Sequence, residues 1–253
     1  MNIHILDSYE EYTKYTSDHI VDYLEYKLTK QDKLYISLAS EYDTKDIYDA
    51  VTKRLQNSNV DFRRIYFLQQ TEYVGISQNN KNSKAYFLNE NLFSKINIPK
   101  ENIFLFDGSK SENQMKLQEE LINKIGKLDV IWYSLGEDST SAGNERISSL
   151  STFFRIKTLS DRSRVEVKSL FENKGFVPTR VYSMGMGVID ISDAILLTAC
   201  GIEKSEALKE CLEYGISNSS PLSKLQKHNN VTVIADYQSS LRLNGAITRM
   251  KKN

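Results

Sequence analysis

The chain has 253 residues, of which 40% are hydrophobic, and this length allows one large α/β domain whose core buries roughly three-quarters of the unfolded surface. Its 33 basic and 33 acidic residues leave no net charge. The composition therefore does not favour nucleic acid or an anionic membrane surface as a partner.

The hydrophobic pattern alternates between short apolar runs and amphipathic segments. The runs are typical of strands buried in a parallel sheet and occupy residues 34–39, 65–68, 103–106, 130–135, 194–197 and 231–235. Helices are predicted at residues 44–56, 83–95, 111–127 and 205–214, each beginning with a Ser or Thr that can cap free backbone amides. This alternation predicts an α/β fold with a doubly wound, mostly parallel sheet and helices on both faces.

No segment has the composition of a linker between domains. The chain contains 3 prolines, and no Gly/Ser-rich or single-sign block separates two halves. Residues 1–253 are therefore predicted to form a single domain.

The cysteines and the N-terminus favour a cytoplasmic location. Cys200 and Cys211 fit reduced core thiols better than a disulfide framework. The first residues lack the pattern of a signal peptide, and no apolar stretch approaches the length of a membrane span. We therefore expect no membrane partner.

Three segments that follow predicted strands are rich in polar side chains. Residues 40–43 read S-E-Y-D, residues 71–76 read T-E-Y-V-G-I, and residues 135–145 read L-G-E-D-S-T-S-A-G-N-E. Ligands of doubly wound sheets bind beyond the carboxyl ends of the strands. We therefore expect the three segments to converge on one ligand site.

Residues 71–76, residues 83–86 (S-K-A-Y) and residues 135–145 resemble the glucosamine-6-phosphate deaminase/isomerase family. The corresponding family segments read approximately D-E-Y-V-G-L, S-Y and G-x-G-x-D-G-H-I-A-F-N-E. The resemblance covers about residues 33–240 and includes R-I-K-T-L at residues 155–159. It implies a sugar phosphate as the ligand, no cofactor, and assembly as a homo-oligomer.

The two positions that carry protons in the resembled family hold threonines in this chain. The base Asp of D-E-Y corresponds to Thr71, and the ring-opening His of D-G-H corresponds to Thr140. A proton-transfer group has to titrate near the working pH, whereas a hydroxyl without an activating neighbour is not a base at neutral pH. Glu72, Asp138 and Glu145 retain the carboxylates of the pattern. The resemblance therefore implies a divergent member whose deaminase activity is lost or strongly reduced.

The contacts to a substrate phosphate are altered as well. The positions that the resemblance assigns to substrate binding are Ser40, Asp43, Gly185 and Lys204. The family loop T-G-G-T or T-G-S-T is replaced by residues 40–43, which bring in two carboxylates. At about 4 Å and an effective dielectric of about 20, like charges repel by roughly 4 kcal/mol. Alternatively, Glu41 and Asp43 form a solvated first turn that favours the dipole of the following helix.

A second region resembles the effector site of allosteric family members, where an acetylated amino-sugar phosphate binds at a subunit boundary. The residues concerned are Ser148, Arg155, Lys157 and Thr158. Guanidinium, ammonium and hydroxyl groups at this spacing can hold a phosphate through charge-assisted hydrogen bonds. The alternative is an ordinary strand with its basic side chains outward and Ile156 inward.

Two functions remain open from the sequence. The first is a catalytically degenerate family member that acts by binding a sugar phosphate or a partner subunit. The alternative is an active amino-sugar-phosphate isomerase/deaminase with an altered substrate, in which Glu72, Asp138 and Glu145 divide the acid and base roles. A metal is not predicted, because the 3 histidines are scattered without ligand spacing.

Overall fold

The computed structural model describes residues 1–110, 113–171 and 176–244. The strands are β1 (Asn2–Leu6), β2 (Leu34–Leu38), β3 (Ile65–Gln69), β4 (Thr71–Tyr73), β5 (Ile103–Phe104), β6 (Val130–Ser134), β7 (Phe154–Thr158), β8 (Arg180–Met184), β9 (Ile195–Ala199) and β10 (Val231–Asp236). The helices are α1 (Tyr9–Leu28), α2 (Lys45–Leu55), α3 (Lys84–Asn91), α4 (Asn113–Ile125), α5 (Asp161–Leu170) and α6 (Ser205–Glu213).

Seven of the described strands form a parallel sheet in the order β1-β10-β9-β6-β2-β3-β5. All the predicted strands lie in this sheet, so the prediction of a doubly wound α/β fold is confirmed. From β2 the chain builds outward through β3 and β5, and from β6 it builds in the other direction through β9 and β10. The strand order therefore reverses between β2 and β6, which is where such sheets bind ligands.

Both faces of the sheet are buried, which explains why its strands read as continuous apolar runs. Along β6, Ile131 and Tyr133 join the core on one face, with side chains of α6 and β8. Trp132 between them points to the other face, where it packs with side chains of α1, α2 and α3. The predicted placement of helices on both faces is confirmed.

A second sheet was not predicted as a unit. It is antiparallel and has the order β4-β8-β7. One of its sides packs against the main core, for example through the stacked rings of Phe106 and Tyr182 at 5.3 Å. On the other side, Tyr73 and Val181 form a smaller buried cluster with Val167 of α5. In its register Thr71 lies opposite Ser183, and Ser183 lies opposite Arg155. This sheet therefore places the Thr71 position and the effector-like segment on one cross-strand row.

The predicted helices are present with small differences in their bounds. Ser83 caps α3, because its Oγ accepts a hydrogen bond from the amide of Tyr86 at 3.2 Å. Thr44 and Ser205 do not cap α2 and α6 with their side chains, so these two cap predictions are wrong. The predicted cap at residue 111 lies outside the described residues. In the described part of the chain, no helix has both the length and the apolar character needed to cross a membrane.

Strand β1 and helices α1 and α5 were not among the predicted elements. Strand β1 is an edge strand that is largely exposed or half-buried, so its residues lack a continuous apolar run. Helix α1 buries only six of its 20 residues, and several of these are Tyr, Thr or Ser. The apolar face of α1 is visible only once its packing partners are known.

Candidate functional site

A cleft of about 670 Å³ lies at the carboxyl ends of β2, β6 and β9. Its lining includes Glu41, Tyr42 and Asp43 after β2, residues 134–138 and 140–143 at and after the end of β6, Cys200, Gly201, Glu203 and Lys204 after β9, and Thr71, Tyr73 and Lys84. The three polar segments singled out in the sequence do converge here. The cleft is therefore the candidate ligand site.

Thr71 and Thr140 both line the cleft. The Oγ1 of Thr71 donates a hydrogen bond of 2.8 Å to the carbonyl of Tyr182, so this hydroxyl is engaged by the backbone of β8. The carbonyl of Thr140 accepts from the amide of Gly136 at 2.7 Å and closes a tight loop. Ser139 and Ala142 in this loop have positive φ angles of 63° and 52°, a strained conformation that is common at functional sites. Threonine hydroxyls thus stand at both proton-carrying positions of the family pattern.

Glu72 is fully buried and is not part of the cleft lining. Its carboxylate accepts hydrogen bonds from the Ser83 hydroxyl at 2.7 Å, the Ala85 amide at 2.9 Å and the Lys84 amide at 3.2 Å. Burial raises the pKa of Glu72 above its ordinary value, although these hydrogen bonds oppose the effect. The side chain therefore caps the start of α3 and does not face the ligand space.

Asp138 and Glu145 line the cleft but differ in their engagement. The carboxylate of Glu145 accepts from the Ser160 amide at 2.9 Å and from the Ser160 hydroxyl at 3.2 Å, at the start of α5. Asp138 has a looser contact, 3.9 Å from Nε of Arg162. Of the three retained carboxylates, the structure thus leaves Asp138 the most available to a ligand.

The segment 40–43 is organised around its carboxylates. Asp43 forms an ion pair with Lys204 and accepts from the Ser134 hydroxyl at 3.2 Å. Glu41 accepts from the Ser40 amide at 2.9 Å and more weakly from the Ala142 amide at 3.4 Å. Ser40 itself is buried and does not line the cleft. The charge of Lys204 is therefore neutralised within the protein, and amides that could bind a ligand oxygen are already in use.

Lys84 is a lining residue that sequence reasoning missed. Its Nζ lies 4.9 Å from the ring centre of Tyr42 and 5.9 Å from that of Tyr73. Two features of the sequence distinguish this position. Lys84 stands where the family pattern S-Y has a tyrosine, and a cation in the first turn of a helix is disfavoured by the helix dipole.

The effector-like residues lie on and before β7, outside the cleft lining. The guanidinium of Arg155 donates to Oδ1 of Asn144 and, at 3.4 Å, to the carbonyl of Ser149, while its Nε is buried without a partner among the described residues. The hydroxyl of Ser148 is likewise buried and unpaired in the described part of the chain. Burial lowers the pKa of Arg155 from its ordinary value.

Strand alternation separates the other members of this segment. Lys157 lies on the same side of β7 as Arg155, whereas Thr158 and Ile156 lie on the other side. Gly185 packs here and not in the cleft: a Cβ at this position would lie 2.2 Å from the carbonyl of Thr152 and 3.3 Å from the Arg155 guanidinium. Residues 154–158 form a strand, as in the alternative of an ordinary strand with outward basic side chains. Arg155, however, is half-buried and does not point freely into solvent.

The remaining titratable groups do not form a metal centre among the described residues. Burial, together with a smaller effect of the neighbouring Asp236, raises the pKa of the cleft-lining Cys200 to about 12. This thiol is therefore protonated at neutral pH.

Fold and cleft together define an α/β protein with a cleft of ligand size where the order of a parallel sheet reverses, with a small antiparallel sheet alongside. The chain belongs to the family of glucosamine-6-phosphate isomerases and 6-phosphogluconolactonases, whose sequence profile matches residues 7–234. The family suggested by the sequence motifs is thereby confirmed.

Individual relatives agree with this assignment. The chain is 30% identical to the glucosamine-6-phosphate deaminase of Treponema denticola over 240 residues, which is 93% of this chain and 89% of the relative. It is 34% identical to that of Dictyostelium discoideum over 199 residues, 78% of this chain and 74% of the relative. Among solved structures it is similar to a monomeric glucosamine-6-phosphate deaminase, with a TM-score of 0.88 and 25% identity over 96% of this chain and 100% of the other. The 6-phosphogluconolactonase of Thermotoga maritima shares the fold, with a TM-score of 0.74 and 19% identity over 93% of this chain and 98% of the other.

Proposed function

We propose that this protein binds a sugar phosphate and that its deaminase activity is lost or strongly reduced. One observation carries the proposal. The cleft positions that hold the base and the ring-opening acid in the family pattern are Thr71 and Thr140, and none of the described lining residues is a histidine. Without a group that titrates near neutral pH at these positions, proton transfer between neighbouring carbons of a sugar has no carrier.

We assign the sugar phosphate to the effector-like segment. Two buried polar atoms of this segment, the Nε of Arg155 and the Oγ of Ser148, have no partner among the described residues. Phosphate oxygens would satisfy such donors through charge-assisted hydrogen bonds, and Lys157 on the same side of β7 adds a second cation. The proposal includes association into a homo-oligomer and a cytoplasmic location, both of which rest on the sequence considerations above.

A specific observation favours an active enzyme as the second candidate. Asp138 lines the cleft and has only a loose contact with Arg162, so its carboxylate is free to act on a ligand. The other two members of the supposed acid and base set give less support, because Glu72 caps α3 and Glu145 caps α5.

Ammonia release separates the two candidates. The purified protein is incubated with glucosamine-6-phosphate or galactosamine-6-phosphate, and we expect turnover far below the range of about 1–1000 per second that is typical of enzymes. Turnover within that range that is abolished by Asp138→Asn, but not by Asp22→Asn at an exposed position outside the cleft lining, would establish the second candidate instead.

Thermal unfolding tests the binding site. N-acetylglucosamine-6-phosphate at a hundred times its dissociation constant should stabilise the native protein by about 2.7 kcal/mol. Arg155→Ala should abolish this shift, whereas the exposed Arg63→Ala, which removes a guanidinium paired with Asp61, should retain it. An equal shift in all three proteins would contradict the assignment of the ligand to Arg155.

A further inference from the structure

Lys84 is a buried cation that faces the cleft without a charged partner. It is the first residue of α3, and only 9% of it is exposed. Among the described residues, its Nζ forms no hydrogen bond and no ion pair, and its contacts are with the rings of Tyr42 and Tyr73. The three N–H donors of the ammonium are therefore left for a ligand.

This position is unfavourable for a charge unless something binds to it. A buried ammonium that lacks acceptors is costly, and cation–π contacts return only about 0.5–2 kcal/mol. The start of a helix also repels a cation. Burial alone would lower the pKa of Lys84, but nearby phenols and the carboxylates of Glu41 and Glu72 raise it above its ordinary value, so the side chain is charged at neutral pH.

The acidic groups nearest to Lys84 have other partners. Glu41 accepts from the amides of Ser40 and Ala142, and Glu72 accepts from the start of α3. The other lysine of the described lining, Lys204, is paired with Asp43. Lys84 is thus the cation of the described cleft whose charge remains available.

We infer that Lys84 binds the anionic group, a phosphate or a carboxylate, of a monosaccharide derivative held in the cleft. The volume of about 670 Å³ lies within the range of about 300–1,000 Å³ that is usual for small-molecule sites. Thr140 lines the same space, and its hydroxyl is of the type that meets sugar hydroxyls. This anion subsite is separate from the Arg155 segment and does not depend on a ligand there.

The test measures binding by titration calorimetry to native protein and to Arg155→Ala, in which the guanidinium of the effector-like segment is absent. Glucose-6-phosphate and gluconate serve as the phosphate and carboxylate probes, inorganic phosphate as the bare anion, and glucose as the uncharged control. Lys84→Met removes the charge but keeps most of the stem, and Lys84→Tyr restores the residue type of the family pattern. Lys84→Arg keeps the charge, and Lys45→Met, which removes an exposed lysine of α2, is the matched control.

We expect at least one sugar anion to bind Arg155→Ala. The affinity for this anion should fall at least about tenfold in Lys84→Met and Lys84→Tyr. The affinity should be retained in Lys84→Arg and Lys45→Met. The sugar anion that binds more tightly identifies whether phosphate or carboxylate is the natural group. If no probe binds Arg155→Ala, or if the affinity is unchanged in Lys84→Met and Lys84→Tyr, the inference is overturned. Either of these results leaves the proposal for Arg155 intact, since that proposal is decided by the thermal shift that N-acetylglucosamine-6-phosphate produces in native protein, Arg155→Ala and Arg63→Ala.

Discussion

Lys204 and Lys84 are both buried lysines of the cleft, yet their surroundings give them different roles. Lys204 matches the phosphate-binding position of the family pattern but is paired with Asp43. Lys84 matches a tyrosine position but has no acidic partner among the described residues. An anion entering the cleft would therefore meet a net attraction at Lys84 and a carboxylate next to Lys204.

Replacement of Asp43 by Asn should restore an anion site at Lys204. The change removes one negative charge from the cleft and releases the lysine, so the affinity for glucose-6-phosphate should rise by at least about tenfold, given that one close charge pair is worth about 4 kcal/mol at an effective dielectric of about 20. Titration calorimetry measures the affinity.

The exposed Asp22→Asn, which removes a carboxylate paired with Arg54 on the helical surface, is the control and should leave the affinity unchanged. Equal affinities in native protein and Asp43→Asn would show that the ion pair does not block this position.

The buried carboxylate of Glu72 caps the start of helix α3. Three donors at its start point to Glu72, namely the Ser83 hydroxyl and the amides of Lys84 and Ala85. The Tyr73 amide and the side-chain amide of Gln69 also donate to this carboxylate. The same helix start carries Lys84, so the cap also fixes one wall of the cleft. A residue that looks catalytic in the sequence thus has a structural role that positions a different side chain.

Glu72→Gln should destabilise the protein by about 1.5–3 kcal/mol, because an amide offers a single acceptor oxygen and no charge to this set of donors. Urea denaturation followed by circular dichroism measures the loss. Glu90→Gln, a change at an exposed position of the same helix, should have little effect. A loss as large in Glu90→Gln would contradict the capping role.

The pH dependence of this stability difference follows from the raised pKa of Glu72. The folded protein binds the proton more tightly than the unfolded chain, whose carboxyl titrates near 4.5. The contribution of the Glu72 carboxyl to the free energy of unfolding is therefore complete below that pH, and it falls as the pH rises through the folded-state pKa. Since Gln does not titrate, the difference in free energy of unfolding between the unsubstituted protein and Glu72→Gln should become smaller as the pH rises over this range. A difference that grows with pH would contradict burial as the dominant effect on this pKa.

The two sheets join where Gly108 meets the end of β4. A Cβ at Gly108 would lie 1.9 Å from the carbonyl oxygen of Tyr73 and 2.6 Å from that of Ile76, and the Gly108 carbonyl accepts from the amide of Gly75 at 2.6 Å. Because the obstacles are backbone atoms, they cannot move without shifting the small sheet. This contact therefore holds Thr71 and Tyr73 in place beside the main sheet.

Gly108→Ala should destabilise the protein by about 1–3 kcal/mol, as expected for overpacking, and should weaken any ligand binding in the cleft. Thermal unfolding measures the first effect and titration calorimetry the second. Gly215→Ala is the matched control, because a Cβ there has no neighbour within 4 Å. Similar stabilities of Gly108→Ala and Gly215→Ala would contradict the expected overpacking at Gly108.

The sequence by itself determined six of the seven described strands of the main sheet, the helices α2, α3, α4 and α6, and the position of the cleft. Strands buried on both faces leave continuous apolar runs, and residues after such strands meet at one edge, so both features are written locally in the chain. The family pattern singled out Thr71 and Thr140, and both line the cleft.

Tertiary structure alone decided which charges are free. Asp43 and Lys204 are 161 residues apart, and no local pattern reveals that they pair. Likewise, Glu72 matches the family pattern but turns toward the amides of α3, whereas Lys84 departs from that pattern and lines the cleft. Such partnerships depend on the direction of each side chain and on distant segments of the chain, and these are defined only when the whole fold is assembled.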